Sequence, residues 1–182
     1  MADERDLVGR DDRIPADNLQ RGLVMARPNA DPNLPHLGVA GDTYTILLAG
    51  KDTAGQFCLI DMHIPPGGGP PAHRHDFEET FSLLEGELEF SFRGEKHLVR
   101  AGETINVPAN APHQFLNRSQ QVARMLCICS PAGQENFFVE IGVPVAGRTA
   151  APPRLEEKAE AELRAKAVSL AKKYRTEFLK HT

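Results

Sequence analysis

Four residues in the middle of the chain are of types whose side chains can bind metal ions: His73, His75, Glu79 and His113. Residues two apart on a β-strand point to the same face, so His73 and His75 can present both imidazoles to one point. Glu79 lies four residues after His75 and keeps the same parity. If a neighbouring strand brings His113 alongside, three imidazole nitrogens and one carboxylate oxygen converge. That set suits one divalent transition metal (Fe, Mn, Ni, Cu, Co or Zn) rather than Ca or Mg.

These residues also have a simpler interpretation. A bare His-X-His pair is more often two surface histidines, with a solvated carboxylate nearby. Glu78 adjoins Glu79 but has the opposite strand parity, so we expect it on the outer face. Cys127 and Cys129 share one face of a predicted strand. We interpret these two as small buried hydrophobic side chains rather than metal or redox ligands.

The elements that must position these residues are short strands. From residue 42 to about residue 143, β-rich runs recur at intervals of about 8 to 12 residues, the spacing of a sandwich or small barrel. The last of these predicted strands covers residues 136–141. The clearest one, residues 87–92, alternates strictly, so its apolar positions are predicted to share a buried face: Leu88, Phe90 and Phe92. The 15 Gly and 14 Pro residues supply the turns that many short strands need.

The regions on either side of the strands have a different composition. Residues 1–41 are polar and broken by prolines, and we interpret them as an irregular N-terminal arm. Residues 42–145 form the predicted barrel. Residues 146–182 are interpreted as a linker and a C-terminal amphipathic helix, because apolar residues recur every three or four positions from Leu155 to Phe178. Such a helix would be about 40 Å long, so we expect it to break or to cross onto a second subunit.

Composition and charge exclude several classes of function. The chain of 182 residues has 21 Lys and Arg against 25 Asp and Glu, a net charge of −4, which is small and of the wrong sign for a nucleic-acid binder. No run approaches the roughly 18 apolar residues of a membrane span. The start of the sequence has neither a secretory nor a transit pattern, and an odd count of 3 cysteines fits a reducing compartment. We therefore expect a cytoplasmic protein that binds a small molecule, with no nucleic acid and no membrane as partner.

The segments around the candidate ligands match two motifs of a known family. The first motif runs from Gly67 to Gly86 and contains the His-X-His pair and the glutamate; the second runs from Gly102 to Asn117 and contains the third histidine. In these motifs the sequence resembles the cupin superfamily, with nine of ten positions matched. Asn110 stands where the family has glycine. Because Asn tolerates the left-handed backbone region best after Gly, we expect this turn to be retained.

The resemblance implies an all-β fold, a double-stranded β-helix or jelly-roll barrel of the RmlC-like type. It implies that the four candidate ligands hold the metal and that Glu79 also moves a proton, as a catalytic residue. The stretch from Phe57 to Glu87 is most similar to small single-domain bacterial cupins of the quercetin-dioxygenase-like group. The same resemblance suggests a homodimer in which terminal segments cross over.

Strand parity predicts which side chains fill the barrel beside the metal, and they are mainly apolar: Phe81, Leu83, Phe90, Phe92, Phe115, Met125 and Cys127. A substrate pocket of this kind suits a flat, aromatic or otherwise apolar ligand that offers one or two oxygens to the metal. A simpler interpretation is that these side chains pack the barrel. The resemblance favours a metal-dependent dioxygenase or related oxidoreductase acting on an enol-type substrate. Two alternatives stay open: a metal-dependent isomerase or lyase of a small carbonyl compound, and a non-catalytic small-molecule-binding cupin.

Overall fold

The computed structural model describes residues 14–179. Within that range the chain forms twelve strands and two α-helices. The strands are β1 (His36–Val39), β2 (Asp42–Leu48), β3 (Cys58–Ile64), β4 (His73–His75), β5 (Glu78–Glu85), β6 (Glu87–Phe92), β7 (Glu95–Arg100), β8 (Thr104–Val107), β9 (His113–Leu116), β10 (Ala123–Ser130), β11 (Val143–Pro144) and β12 (Thr176–Phe178). The helices are α1 (Gln134–Ile141) and α2 (Glu157–Ala171).

The strands form two antiparallel sheets that enclose one apolar core. The larger sheet has the order β11-β1-β2-β3-β10-β5-β8, and the smaller has the order β12-β4-β9-β6-β7. Strands that are distant in sequence are neighbours in both sheets, as β3 and β10 are in the larger one. This long-range pairing is the topology of a jelly roll, so the predicted all-β jelly-roll fold is confirmed.

The core is built from the alternate residues of each strand. In β6, Leu88 and Phe90 are buried and Phe92 is half-buried, which agrees with the alternation read from the sequence. In β10, Met125 and Cys127 are completely buried, while Leu126 between them is half-buried. The period-2 pattern therefore determines which face of each sheet lies inside.

The prediction of a strand over residues 136–141 is wrong, because this segment is helix α1. Phe137 and Phe138 are both buried there, and the ring of Phe138 lies 5.0 Å from that of Tyr44, centre to centre. Consecutive residues on a strand would point to opposite faces, whereas a helix can turn both into the core. A short apolar run does not distinguish the two structures by periodicity alone.

The C-terminal helix breaks before the end of its apolar stripe. Helix α2 ends at Ala171, a single 3-10 turn covers Lys172–Tyr174, and Arg175 takes a left-handed conformation with φ 56°. The chain then returns as β12 and pairs with β4. Among residues 14–179, neither helix is both long and apolar enough to cross a membrane.

The turn that departs from the family motif is retained. Asn110 has φ 68°, so the expected left-handed conformation is confirmed. Its backbone N–H donates to the carbonyl oxygen of His75 at 2.6 Å. The loop that carries this substitution is thereby tied directly to strand β4.

Candidate metal centre

Strand β4 places His73 and His75 on the inner face of the smaller sheet. Both rings are buried, and Arg74 between them is exposed. Strand β9 lies beside β4, with His113 opposite His73 in the register. The ring centres of His73 and His113 are 4.3 Å apart. The strand neighbour that the sequence analysis required therefore exists, and it brings the third histidine alongside the pair.

The larger sheet contributes the carboxylate. Glu79 lies near the start of β5 and is buried, with its Oε2 2.9 Å from His75 Nε2 and 3.1 Å from His113 Nε2. One ligand atom from each of the four predicted residues lies within 4.8 Å of the others. The structure thus brings all four together between the two sheets.

The three imidazoles are held in the same tautomer. Each Nδ1 lies 2.9 Å from a backbone carbonyl oxygen, of Pro71 for His73, of Phe77 for His75 and of Ala111 for His113. A carbonyl oxygen only accepts, so each Nδ1 carries a proton, and in the neutral form of each ring Nε2 is the unprotonated nitrogen. Such contacts fix the orientation of metal-binding histidines in proteins.

This donor set fits a metal ion. An unprotonated Nε2 and a carboxylate oxygen are both acceptors, so their contacts at 2.9 and 3.1 Å are favourable only when a proton or a cation lies between them. A divalent transition metal satisfies three nitrogens and one carboxylate oxygen at once. The cluster is compatible with the binding of one metal ion.

Burial and mutual contacts adjust the charges of these groups. Burial, with the neighbouring His113 adding to it, lowers the pKa of His73 to about 4, so its ring is neutral at pH 7. Burial alone would raise the pKa of Glu79, but hydrogen bonds with His113 and His75 hold that pKa well below its usual range. Burial acts to lower the pKa of His113, but the hydrogen bond with Glu79 and the charge of Glu79 together raise it, so this pKa lies above its ordinary value. A neutral imidazole and an ionised carboxylate are the forms that coordinate metals.

The neighbouring carboxylate is excluded from the cluster. Glu78 is exposed, as its strand parity predicts. Its Oε2 accepts a hydrogen bond from Asn106 Nδ2 at 2.7 Å, and its Oε1 accepts one from the backbone N–H of Ala109 at 3.1 Å. Glu78 therefore supports the loop beyond β8 from outside the barrel.

The predicted pocket residues lie at different depths along the barrel. Three of them, Phe81, Phe90 and Phe115, contact one another with ring centres 5.1 to 5.7 Å apart. Phe92 is half-buried and lies opposite His113 in the register. Leu83 and Met125 are paired four residues further along β5 than Glu79, about 13 Å at the rise of a strand. The aromatic side chains therefore pack next to the cluster, and Leu83 and Met125 lie further from it along the barrel.

The two cysteines of β10 have contacts that sequence reasoning missed. Cys127 and Cys129 are completely buried, as expected, and their sulfur atoms are 3.6 Å apart. The Cys127 thiol also lies 3.2 Å from Glu79 Oε1, and the Cys129 thiol lies 3.7 Å from it. Burial raises the pKa of Cys127 to about 12, so its thiol keeps its proton.

Strand β12 and Phe77 were also missed as neighbours of the cluster. In the β12 pairing, Thr176 lies opposite His75 and Phe178 lies opposite His73. The Phe77 ring stacks on the His75 ring with 3.8 Å between centres. The pairing joins residues about 100 positions apart in the sequence. The helical period of apolar residues extends to residue 178, so no strand was predicted there.

Comparison with known proteins finds relatives that share these segments. Residues 60–129 match the family model described as "Cupin domain". The chain is 30% identical over 105 residues to quercetin 2,3-dioxygenase of Bacillus subtilis, covering 57% of this chain and 31% of that protein. It is 30% identical over 118 residues to auxin-binding protein 1 of Arabidopsis thaliana, covering 60% of this chain and 56% of that protein. The chain therefore spans less than two thirds of the length of each of these relatives.

Among solved structures, the chain is similar to an RmlC-like cupin from Shewanella frigidimarina. The TM-score is 0.53 at 16% sequence identity, and the match covers 65% of this chain and 99% of that chain. At this identity the likeness concerns the fold, and it agrees with the two-sheet topology described above.

Proposed function

Because the chain contains a cupin domain and thereby belongs to the cupin superfamily, we propose that it binds one divalent transition metal and acts as a metal-dependent dioxygenase or related oxidoreductase. The proposed ligands are His73, His75, Glu79 and His113. The proposed substrate is small, largely apolar or aromatic, and carries an enol-type oxygen. The donor set suits Fe, Mn, Ni, Cu, Co or Zn.

The observation that supports the metal centre is the shared orientation of the three rings. Each Nδ1–H is engaged by a backbone carbonyl, and the Nε2 atoms of His75 and His113 lie 2.9 and 3.1 Å from Glu79 Oε2. When these rings are neutral, the two Nε2 atoms and the buried carboxylate are all acceptors, an arrangement that a cation stabilises.

A metal held at this point would supply a Lewis acid for an enol or enolate oxygen, and a redox-active ion among the candidates would also exchange electrons with dioxygen. Glu79 is the group that can take the enol proton, because its Oε2 faces the same point as the histidines. The contacts of Phe81, Phe90 and Phe115 exclude water from the adjacent part of the barrel. Their apolar surfaces favour an aromatic substrate over a phosphorylated or strongly charged one.

The similarity to quercetin 2,3-dioxygenase of Bacillus subtilis supports the oxidative reaction over other cupin chemistry. The similarity to auxin-binding protein 1 favours a second candidate, a cupin that binds a small molecule without turnover. A metal-dependent isomerase or lyase of a small carbonyl compound would use the metal only to polarise the carbonyl. Oxygen consumption distinguishes the first of these from the other two, and recovery of an unchanged ligand identifies the binding protein.

The metal centre is tested by elemental analysis of protein purified without chelators. We expect about one equivalent of transition metal in the unsubstituted chain and loss of most of it in His75→Ala and His113→Ala, while circular dichroism shows a folded β-protein for both. His97→Ala is the matched control, because His97 is an exposed histidine on strand β7. Unchanged metal content in His75→Ala and His113→Ala would show that the proposed ligand set is wrong.

The reaction is tested with the metal identified in that analysis. Oxygen uptake is measured with flavonols and with 1,3-diketones, both of which offer an enol oxygen on an apolar frame. We expect uptake with the unsubstituted chain and none above background with His113→Ala. Tight binding of these compounds without oxygen uptake would favour the non-catalytic alternative.

A further inference from the structure

The two oxygens of the Glu79 carboxylate face different partners. Oε2 is directed to His75 and His113, at 2.9 and 3.1 Å. Oε1 is directed to the thiols of Cys127 and Cys129, at 3.2 and 3.7 Å. All these side chains are nearly or completely buried, so water does not compete for either oxygen.

The two thiols are carried by a strand near the centre of the larger sheet. Strand β10 lies between β3 and β5, and Cys129 is opposite Glu79 in the register of β10 and β5. Cys127 is two residues earlier on the same face and makes the shorter contact with Oε1. Since both strands are paired along their length, the thiols and the carboxylate are held by the backbone rather than by flexible loops.

A thiol can donate its proton, and a carboxylate can only accept. The S–H of Cys127 therefore satisfies Oε1 in a region with little else to hydrogen-bond to. A carboxylate with one oxygen engaged in this way turns its other oxygen to the histidine cluster. Without the thiol, the carboxylate would be free to rotate and offer both oxygens to a cation.

We propose that Cys127 is a positioning residue for the metal centre, whose thiol holds Glu79 Oε1 so that Glu79 presents only Oε2 to the metal. This inference rests on the proposed metal centre. One-oxygen ligation leaves a coordination position for substrate that a carboxylate bound through both oxygens would occupy. The remaining thiol, Cys129, is 0.5 Å further from Oε1 than Cys127 is and takes the supporting position.

The test uses Co(II) as the probe, because its affinity is measured by competition with a chelator and its visible absorption reports the coordination of the ion. In Cys127→Ala we expect Co(II) binding to be about 10- to 100-fold weaker, the usual cost of losing a group that orients a metal ligand, together with a changed visible spectrum. In Cys127→Ser, a hydroxyl replaces the thiol as donor, so affinity and spectrum return close to those of the unsubstituted chain.

Cys58→Ala is the matched control. Cys58 is as completely buried as Cys127 and lies opposite Cys129 in the register of β3 and β10. Its thiol contacts that of Cys129 and is not among the contacts described for Glu79. This variant loses the same volume in the same layer, so its Co(II) affinity and spectrum should stay unchanged. Thermal unfolding of each variant establishes that it is folded. If Cys127→Ala does not fold, Cys127→Val is a second variant that lacks a hydrogen-bond donor at this position.

Three outcomes are distinguished. If the unsubstituted chain binds no Co(II), the metal centre is refuted and the role of Cys127 with it. If the unsubstituted chain binds Co(II) and Cys127→Ala matches Cys58→Ala in affinity and spectrum, the metal centre stands and the positioning role is refuted. If Cys127→Ser is as weak as Cys127→Ala, the effect does not come from a donated hydrogen bond, and the positioning role is again refuted.

Discussion

Asp42 is a buried carboxyl group whose removal should change how stability depends on pH. It begins β2 and is completely buried. The Tyr44 hydroxyl donates to its Oδ2 at 3.1 Å, and a Cβ added to Gly68 would lie 2.2 Å from its Oδ1. Burial raises the pKa of Asp42 from 3.8 to about 8, against the opposing effect of hydrogen bonds from Tyr44 and Gly69. The carboxyl therefore keeps a proton at pH 7 beneath the glycine loop that precedes β4.

The sign of the effect follows from where the proton is bound. Between about pH 4 and pH 8, the folded chain holds a proton on Asp42 that the unfolded chain has released. The free energy of unfolding then falls as pH rises, by about 1.4 kcal/mol per pH unit from this group. Over the whole window the loss is on the order of 5 kcal/mol, which is a large part of the stability of an ordinary domain.

Asp42→Asn should remove this dependence. An amide has the shape of the carboxyl and does not titrate, and its carbonyl oxygen still accepts the hydrogen bond from Tyr44. We expect the variant to be of similar stability to the unsubstituted chain near pH 4 and increasingly more stable than it towards pH 8. Urea unfolding followed by circular dichroism at pH 5, 6, 7 and 8 measures the difference.

The control for this series is Asp17→Asn, since Asp17 is an exposed carboxylate on the N-terminal arm. Its stability should follow that of the unsubstituted chain at every pH. Parallel curves of unfolding free energy against pH for Asp42→Asn and the unsubstituted chain would refute the reasoning. They would mean that Asp42 is ionised in the folded protein and that its charge is compensated.

Three further predictions concern the surroundings of the candidate site. Gly69 has φ 134°, and a Cβ added there would lie 2.1 Å from the carbonyl oxygen of Phe115. Gly69→Ala should therefore lower the unfolding free energy by on the order of 3 kcal/mol in urea titrations. An unchanged midpoint would contradict the close approach. Deletion of residues 176–182 removes the strand that pairs with β4, and we expect faster amide exchange in β4 and weaker metal binding; unaltered exchange would show that β12 does not support the histidine strand. We also propose that the chain is a homodimer whose interface covers Leu19 and Leu23 of the arm, which are 89% and 90% exposed in the single chain. Light scattering should give the mass of a dimer at micromolar concentration. The mass of a monomer would contradict the proposal.

The fold could be predicted where one strand carries its own pattern. Residues 87–92 alternate strictly, and they form β6 with Leu88 and Phe90 inside. The spacing of His73, His75 and Glu79 likewise predicted inward-facing side chains, because parity along a strand is a local property. Joining them to His113 required the family motif, since no local pattern indicates which strands are neighbours.

The sequence was less informative where contacts join distant segments. The apolar stripe of the C-terminal helix continues to Phe178, but the left-handed Arg175 ends it and returns the chain to β4. There the chain forms a strand at the edge of the smaller sheet, although the local periodicity is that of a helix. At residues 136–141, the burial of both Phe137 and Phe138 selected a helix in a run short enough for either structure.

The contact between Cys127 and Glu79 depends on the register of β10 against β5, two strands about 40 residues apart. A slip of one residue would turn both thiols to the outer face and leave Oε1 without a donor. The histidines belong to the smaller sheet and Glu79 to the larger, so the candidate centre also depends on how the two sheets pack. Each sheet therefore holds its own part of the centre: backbone carbonyls orient the imidazoles on one side, and the thiol orients the carboxylate on the other. The functional side chains can be recognised from residue type and parity, whereas their orientation is a product of the tertiary structure.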